Sequence, residues 1–439
     1  MKTTSIWLLM LFGLIGMVTV SVAQIEEIAI GNTFGAGART MGMGGAFLGV
    51  ADDFTALYWN PAGLAQIKKF ELFGGFSHSE LDAKTQFTAG RLTEADQSKT
   101  RPNSIGFVYP FYTSRGGFAL ALGYNRQQTF DSRVSIKGID PSPGTVFSDL
   151  DVDETNSTTG GIGIWSFGLG FFISKNIMIG GSLDFWHGSS FNELESEAFD
   201  VSNVDSELAN FAFHDTVDRE YVGVGGRIGI LAHVGDYVTL GVTAITPMDL
   251  EVDELWRQQT VAVFDDGEEE AEADEGSIVF DLERPFEFGA GIAVKLLEKR
   301  LTLAGDFQFS DWTQTEYSIP PAEDISSDDF DRFYDSTVQI RLGAEYRIPN
   351  IDTSIRIGYF RDPIPFRPPK PKREGLFEDF EEDIIENDRD FFTIGLGKIF
   401  DQVIKFDIAY MRGSWKRSSD SLTTDETSNR VFVSAAYRY

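Results

Sequence analysis

The chain has 439 residues, with 37 basic against 68 acidic side chains for a formal net charge of −31, and it has no cysteine. That charge argues against a nucleic-acid partner, because phosphate binding needs a basic surface; the missing cysteines exclude disulfides and leave burial and backbone pairing to hold the fold. Forty-four glycines and thirty-eight phenylalanines suit tightly paired strands with apolar outer faces better than a soluble enzyme.

At the N-terminus, Lys2 precedes an apolar run over residues 6–20, and Ser21-Val22-Ala23 is a small-x-small cleavage site. Residues 1–23 therefore read as a signal peptide removed before Gln24. An anchor helix is the competing reading, but the run is short and nothing basic follows it. No later stretch has the ~18 uncharged apolar residues of a spanning helix. The mature chain is expected either in the periplasm or in the outer membrane as a β-barrel.

Residues 24–69 do not alternate in polarity. They hold a glycine-rich stretch over 35–47 and then Ala51-Asp52-Asp53-Phe54-Thr55-Ala56-Leu57-Tyr58-Trp59-Asn60-Pro61-Ala62-Gly63-Leu64. Asp52 or Asp53 is a candidate cap for a short helix through Tyr58. Asn60 precedes Pro61, which favours extended backbone and should stop that helix. An apolar segment outside the strand pattern can bury itself in the lumen of a wide barrel, so 24–69 is predicted to be a plug and 70–439 the barrel.

From residue 70 the period is two. Leu301, Leu303, Gly305, Phe307 and Phe309 alternate with Thr302, Ala304, Asp306, Gln308 and Ser310. Val338, Ile340, Leu342, Ala344 and Tyr346 alternate with Gln339, Arg341, Gly343, Glu345 and Arg347. Lys405 and Asp407 interleave with Ile404, Phe406, Ile408 and Tyr410. Such runs are strands with one apolar and one polar face.

Strands are predicted at 70–79, 103–112, 116–127, 161–174, 176–189, 220–234, 237–249, 277–295, 300–316, 336–348, 352–361, 390–400, 402–414 and 430–439. Connections alternate between short turns (113–115, 175, 235–236, 296–299, 349–351, 401) and long loops (131–160, 190–219, 250–276, 362–389). Short turns on one rim and long loops on the other are the layout of a transmembrane barrel. The fold class is therefore all-β: a fourteen-stranded antiparallel transmembrane barrel with an N-terminal plug. The last strand ends on aromatics, and Tyr437 and Tyr439 resemble the terminal signal read by the barrel-assembly machinery.

The long loops are acidic at 265–275 and 378–388. Runs of this kind read as solvated loops; cation-bridged contact with lipopolysaccharide is the functional alternative.

The stretch 37–64 resembles the N-terminal hatch of the FadL/TodX family of outer-membrane transporters, through Met41-Gly42-Met43-Gly44-Gly45-Ala46, Ala51-Asp52-Asp53 and Tyr58-Trp59-Asn60-Pro61-Ala62-Gly63-Leu64. The resemblance implies a fourteen-stranded barrel carrying hydrophobic molecules across the bacterial outer membrane, with a gating role for Asn60, Pro61 and Ala62. No motif fixes the family's ligand pocket or its lateral opening. PorV/PorQ-like barrels of type IX secretion carry a similar segment, and that resemblance implies instead a subunit binding secretion-system proteins.

Lipopolysaccharide blocks apolar solutes, so a fatty acid or aromatic hydrocarbon needs a protein route. Trp186 shares a face with Ser182 and Asp184, Phe432 with Ser434 and Arg438, and Phe360 with Arg356, so these three should point inward. With Phe54, Tyr58 and Trp59 they are candidate ligand contacts; plain packing between plug and wall is the alternative for each. Arg341, Arg347, Arg356 and Lys405 are candidate contacts for a carboxylate head group. Asp184, Asp306, Glu345 and Asp407 share their interior, and mutual neutralisation is the alternative.

An enzyme is not expected. The four histidines, at 78, 187, 214 and 233, have no metal-ligand spacing, and no nucleophile accompanies the acidic pairs. No cofactor, metal or catalytic residue is expected. Expected partners are outer-membrane lipid and lipopolysaccharide, a hydrophobic small molecule, and the barrel-assembly machinery during biogenesis.

Overall fold

A computed structural model describes residues 35–87, 90–139, 150–201, 208–318, 334–365, 385–386, 388–418 and 422–439. The signal-peptide expectation for 1–23, and most of the acidic run at 378–388, lie outside the described residues.

The strands form one closed antiparallel barrel of fourteen staves. In chain order they are β1 (Glu71–Phe87), β2 (Thr93–Phe111), β3 (Phe118–Arg126 continued by Ser132–Ile139), β4 (Asp151–Phe172), β5 (Ile177–Phe199), β6 (Leu208–Val234), β7 (Val238–Ile245 continued by Met248–Phe264) and β8 (Glu269–Arg284 continued by Glu287–Leu296). There follow β9 (Leu301–Asp311), β10 (Ser336–Ile348), β11 (Thr353–Asp362), β12 (Ile385–Glu386 continued by Arg389–Phe400), β13 (Ile404–Ser418) and β14 (Leu422–Arg438). Glu316–Tyr317 adds a short strand against Leu282 and Glu283 of β8. The first and last staves pair from Glu71↔Arg438 to Phe87↔Leu422, which removes both sheet edges. Among the described residues no helix is long and apolar enough to cross a membrane.

Alternation decides which way each side chain points. In β9, Leu303 and Phe307 are 41% and 42% exposed while Thr302 and Asp306 are 9% and 5% exposed. In β10, Ile340 and Leu342 face outward and Arg341 and Glu345 inward. The barrel thus shows the surroundings a belt of Leu, Ile, Val and Phe, a far larger apolar surface than a water-soluble protein exposes. The belt is the face a bilayer covers, and the polar side chains fill the lumen.

The upper staves differ from expectation. The stretches 131–160, 190–219 and 250–276, predicted to be loops, are largely strand, and β6 alone runs 27 residues. At ~3.3 Å per residue and the usual tilt, such a stave stands far above a ~25 Å apolar band. Beyond the bilayer the polarity inverts: Leu183 and Phe185 face outward and Asp184 inward in the lower half of β5, whereas Glu195 and Glu197 face outward and Leu194 and Ala198 inward higher up. Strands recognised by an apolar outer face lose that mark when they leave lipid. The acidic run at 265–275 is likewise corrected: Gly267, at φ 82°, makes the turn, and residues from Glu269 pair with β7 as exposed strand.

Besides β12, three staves are interrupted among the described residues. Thr246-Pro247 breaks β7 and Pro285-Phe286 breaks β8, because proline lacks the N–H a ladder needs. In β3 the break is at 127–131, where Gln127, Gln128, Thr129 and Phe130 are all buried.

Residues 35–69 make no strand. They hold two short helices, α1 (Ala38–Gly42) and α2 (Ala56–Trp59), and a 3-10 turn over Pro61–Gln66. Neither Asp52 nor Asp53 caps α2; its N-cap position is Thr55, whose N and Oγ1 donate to Asp53 Oδ1 at 3.1 and 2.6 Å. Asn60 is extended (φ −152°, ψ 98°) and ends the helix, as the following proline requires.

Candidate functional site

The N-terminal segment is ringed by the barrel wall. Gly37 N donates to Asn103 of β2, Phe54 N to Glu71 of β1, and Gly44 N to Thr393 of β12. Phe47 N and Leu48 N converge on Asp306 Oδ2 of β9, at 2.5 and 2.8 Å. Nothing in the local sequence of 35–69 announces these partners, since all the acceptors except Glu71 come from staves far along the chain.

Buried ion pairs add to the grip. Arg39 lies against Glu345 of β10 with both contacts at 3.0 Å, and its Nη1 reaches Asp53 at 3.0 Å and Asp52. Arg356 of β11 holds Glu345 at 2.6 Å and Asp407 at 2.9 Å. Lys405 of β13 lies 3.3 Å from Asp53 and 3.4 Å from Asp407. Each charge has an opposite neighbour, which is what burial demands. Arg356 and Lys405 are therefore committed to segment and wall, the neutralised alternative of the sequence reading. Arg347 is exposed and lines an open recess at the short-turn rim with Arg39, Asp52, Ser354 and Lys398.

Close approach between segment and wall depends on glycine. Gly44 sits at φ 62°, and a Cβ there would stand 2.6 Å from Tyr359 N. A Cβ on Gly358 of β11 would meet Gly44 Cα at 2.6 Å, so a larger residue at either position would separate the two surfaces.

The structure places Asn60, Pro61 and Ala62 against β4, β5 and β6. Asn60 Nδ2 donates to Leu48 O at 3.0 Å and to Ile230 O of β6 at 3.1 Å, and Asn60 Oδ1 accepts from Ala62 N at 3.2 Å. The side chain thus ties two parts of the segment to each other and to the wall. Pro61 O stands where a Cβ on Gly170 of β4 would be 2.7 Å away.

The candidate ligand contacts fall into three places. Phe54 stacks on Phe73 with centroids 4.9 Å apart, and Phe432 lies in the same core of segment and wall; both are packing residues here. Tyr58, Trp59, Arg341 and Phe360 meet around a small recess, with Met41 and Gln339. Arg341 donates to Gln308 at 3.0 Å and to Gln339, and its guanidinium lies 5.2 Å from the Trp59 ring. Trp186 stands apart, in a second cluster beyond the segment.

That second cluster is an aromatic one that sequence reading missed. Trp186, Phe130, Tyr221, Phe280, Trp312 and Tyr317 are buried together in it with aliphatic neighbours such as Ile164 and Leu250. Arg284 lies 5.0 Å from the Trp186 ring and 5.4 Å from the Trp312 ring. These rings are spread from the break in β3 to the short strand after β9, so no local motif could have revealed the cluster.

Phe130 joins this cluster because β3 bends inward at 127–131. The β2–β3 ladder ends at Ser104↔Asn125, and among the described residues no ladder pair joins Thr93–Asn103 to Ser132–Ile139. Side chains bridge this seam instead: Arg101 holds Asp131, with Nε–Oδ2 at 2.8 Å, and Gln97 Nε2 donates to Thr158 O at 3.3 Å. Gly160 and Gly161, at φ 132° and 148°, let β4 follow the bend; that glycine pair was the sequence signal for it.

Tyr437 and Tyr439 are 45% and 83% exposed at the short-turn rim. The Tyr439 backbone pairs with Phe70, with N–O distances of 2.9 and 3.1 Å.

No family model matches the sequence, and no curated protein matches it either. Solved structures do resemble it. The Pseudomonas putida toluene transporter TodX superposes with a TM-score of 0.64 at 17% identity, over 92% of this chain and 99% of that one. A Pseudomonas aeruginosa FadL homologue gives 0.60 at 15% identity, over 93% and 98% of the two chains. The Ralstonia pickettii toluene transporter TbuX gives 0.59 at 14% identity, over 93% and 99%. Together with its closed fourteen-stave wall, these superpositions show that the chain has the barrel fold of the TodX and FadL-homologue structures.

Proposed function

We propose that this chain is an outer-membrane channel through which hydrophobic small molecules, of the aromatic-hydrocarbon or long-chain fatty-acid class, cross by passive diffusion. The observation that carries the reading is the buried aromatic cluster beside a seam in the wall. An apolar solute gains ~25 cal/mol per Å² of surface it removes from water, so a chamber opened among these ring faces would be a favourable stop for it. Two of the structures with this fold are named toluene transporters, which agrees with such a cargo.

In this reading residues 24–69 are the hatch, 70–439 the barrel and 1–23 the signal peptide. Asn60, Pro61 and Ala62 act as the gate, because Asn60 joins the segment to β6 by one side-chain hydrogen bond. Trp186 touches the ligand in the chamber, and Tyr58, Trp59 and Phe360 touch it near the segment. Arg341 is the remaining candidate for a carboxylate. The surrounding partners are outer-membrane lipid and lipopolysaccharide.

The test is uptake. Bacteria lacking their own hydrophobic-compound channels would be supplied with this protein and given radiolabelled toluene or oleate. Accelerated entry supports the reading. Entry no faster than with an empty vector, while folded protein is present in the outer membrane, overturns it.

A further inference from the structure

Outside the lumen, on the tall hairpin formed by β5 and β6, three metal-ligating side chains meet on one face. Glu193 and Glu195 are two apart on β5, and His214 lies on β6 directly across from Glu195. Their ligand atoms all lie within 4.8 Å of one another, and His214 Nε2 is 3.3 Å from Glu193 Oε1. Residues two apart on a strand share a face, and a directly paired residue on the neighbouring strand joins them. In sequence the histidine stands far from the carboxylates, which is why ligand spacing along the chain did not reveal it.

We infer that Glu193, Glu195 and His214 form a site for a divalent transition-metal ion, with zinc as the reference ion. One imidazole and two carboxylates supply three ligands, and water completes the four-coordinate arrangement zinc adopts. The imidazole separates this from an acidic patch: oxygen ligands alone suit calcium and magnesium, whereas a nitrogen ligand favours zinc and its neighbours. The surroundings are acidic as well. Glu197 continues the same outward column on β5, and its β4 partner Asp153 is paired with Lys137 at 2.6 Å.

The site sits ~35–40 Å along the slanted barrel from the short-turn end of β5, beyond the apolar belt. It is therefore open to the external medium. A bound ion would clamp two staves to each other where no lipid presses on them.

The experiment is titration of detergent-solubilised barrel, prepared without a histidine tag, with zinc chloride by calorimetry and with cobalt chloride by visible absorption. The expected result is one zinc per barrel, retained in millimolar magnesium, and a cobalt band of low-coordinate intensity. His214→Gln and Glu195→Gln should each weaken zinc binding at least about tenfold, since loss of a direct ligand costs no less than loss of a supporting contact. Glu197→Gln should leave it unchanged, and heat-resistant mobility on gels checks that each variant is folded. Absence of stoichiometric zinc binding overturns the site. So does zinc binding that survives His214→Gln, which would show an acidic patch alone.

Discussion

The two interior regions of this barrel are built on opposite principles. The N-terminal segment is held by buried charges and directed hydrogen bonds: Arg39, Arg356 and Lys405 with Asp53, Glu345 and Asp407, and Asp306 on two backbone amides. The cluster beyond it is built mainly of rings and aliphatic groups, with Arg284 spread over two indoles. Directional bonds fix one geometry and lose much when a partner is removed, whereas apolar contacts are non-directional and tolerate a changing occupant. The first arrangement suits a part that must stay seated, and the second suits a place where cargo changes.

The largest expected effect follows from breaking the charge network. Arg356→Ala leaves Glu345 and Asp407 short of a buried partner and should cost about 3–5 kcal/mol. The temperature at which the folded gel band disappears should fall, and single-channel recordings in planar bilayers should show larger leak conductance. Asp306→Ala is next. It strips the acceptor from Phe47 N and Leu48 N and should cost about 1–3 kcal/mol. Leak should increase again, with less loss of heat resistance because Asp306 belongs to no ion pair among those that seat Arg39.

Asn60→Ala combined with Pro61→Ala sharpens the comparison. The barrel should keep its heat resistance while uptake falls, because this contact joins segment to wall without supporting the sheet. Unchanged uptake would remove Asn60 and Pro61 from the gate. In the aromatic cluster, Trp186→Ala should weaken ligand binding by about 1 kcal/mol through lost ring contact, read as a shift in hydrocarbon affinity with leak conductance unaltered. The smallest effect is expected at the chain end. Tyr439→Ser should lower the yield of assembled barrel in the outer membrane without changing the conductance of the molecules that do assemble.

What could be read in advance follows the same division. The lower staves announce themselves, because lipid on one side and a polar lumen on the other impose a strict period of two, as in Leu301 to Ser310. The upper staves do not: where Glu195 faces water and Leu194 the interior, the alternation is that of any soluble sheet. The helix stop at Asn60-Pro61 was legible because proline acts on its immediate neighbour. The pairing of Arg39 with Glu345 and of Asp306 with Phe47 was not, since each joins residues more than 250 positions apart. The aromatic cluster escaped because most of its members come from staves far apart in the chain. The inward faces of Trp186, Phe360 and Phe432 were legible from strand parity, yet parity could not say that Phe432 packs against the segment while Trp186 joins the separate aromatic cluster.

The most direct measurement is native mass spectrometry of the barrel gently extracted from its own outer membrane. The account predicts an added mass of a few hundred daltons that toluene or a fatty acid displaces, and that Trp186→Ala diminishes. A barrel that carries no such ligand, and instead holds a stoichiometric protein partner, would contradict it and favour the secretion-subunit reading of the same N-terminal segment.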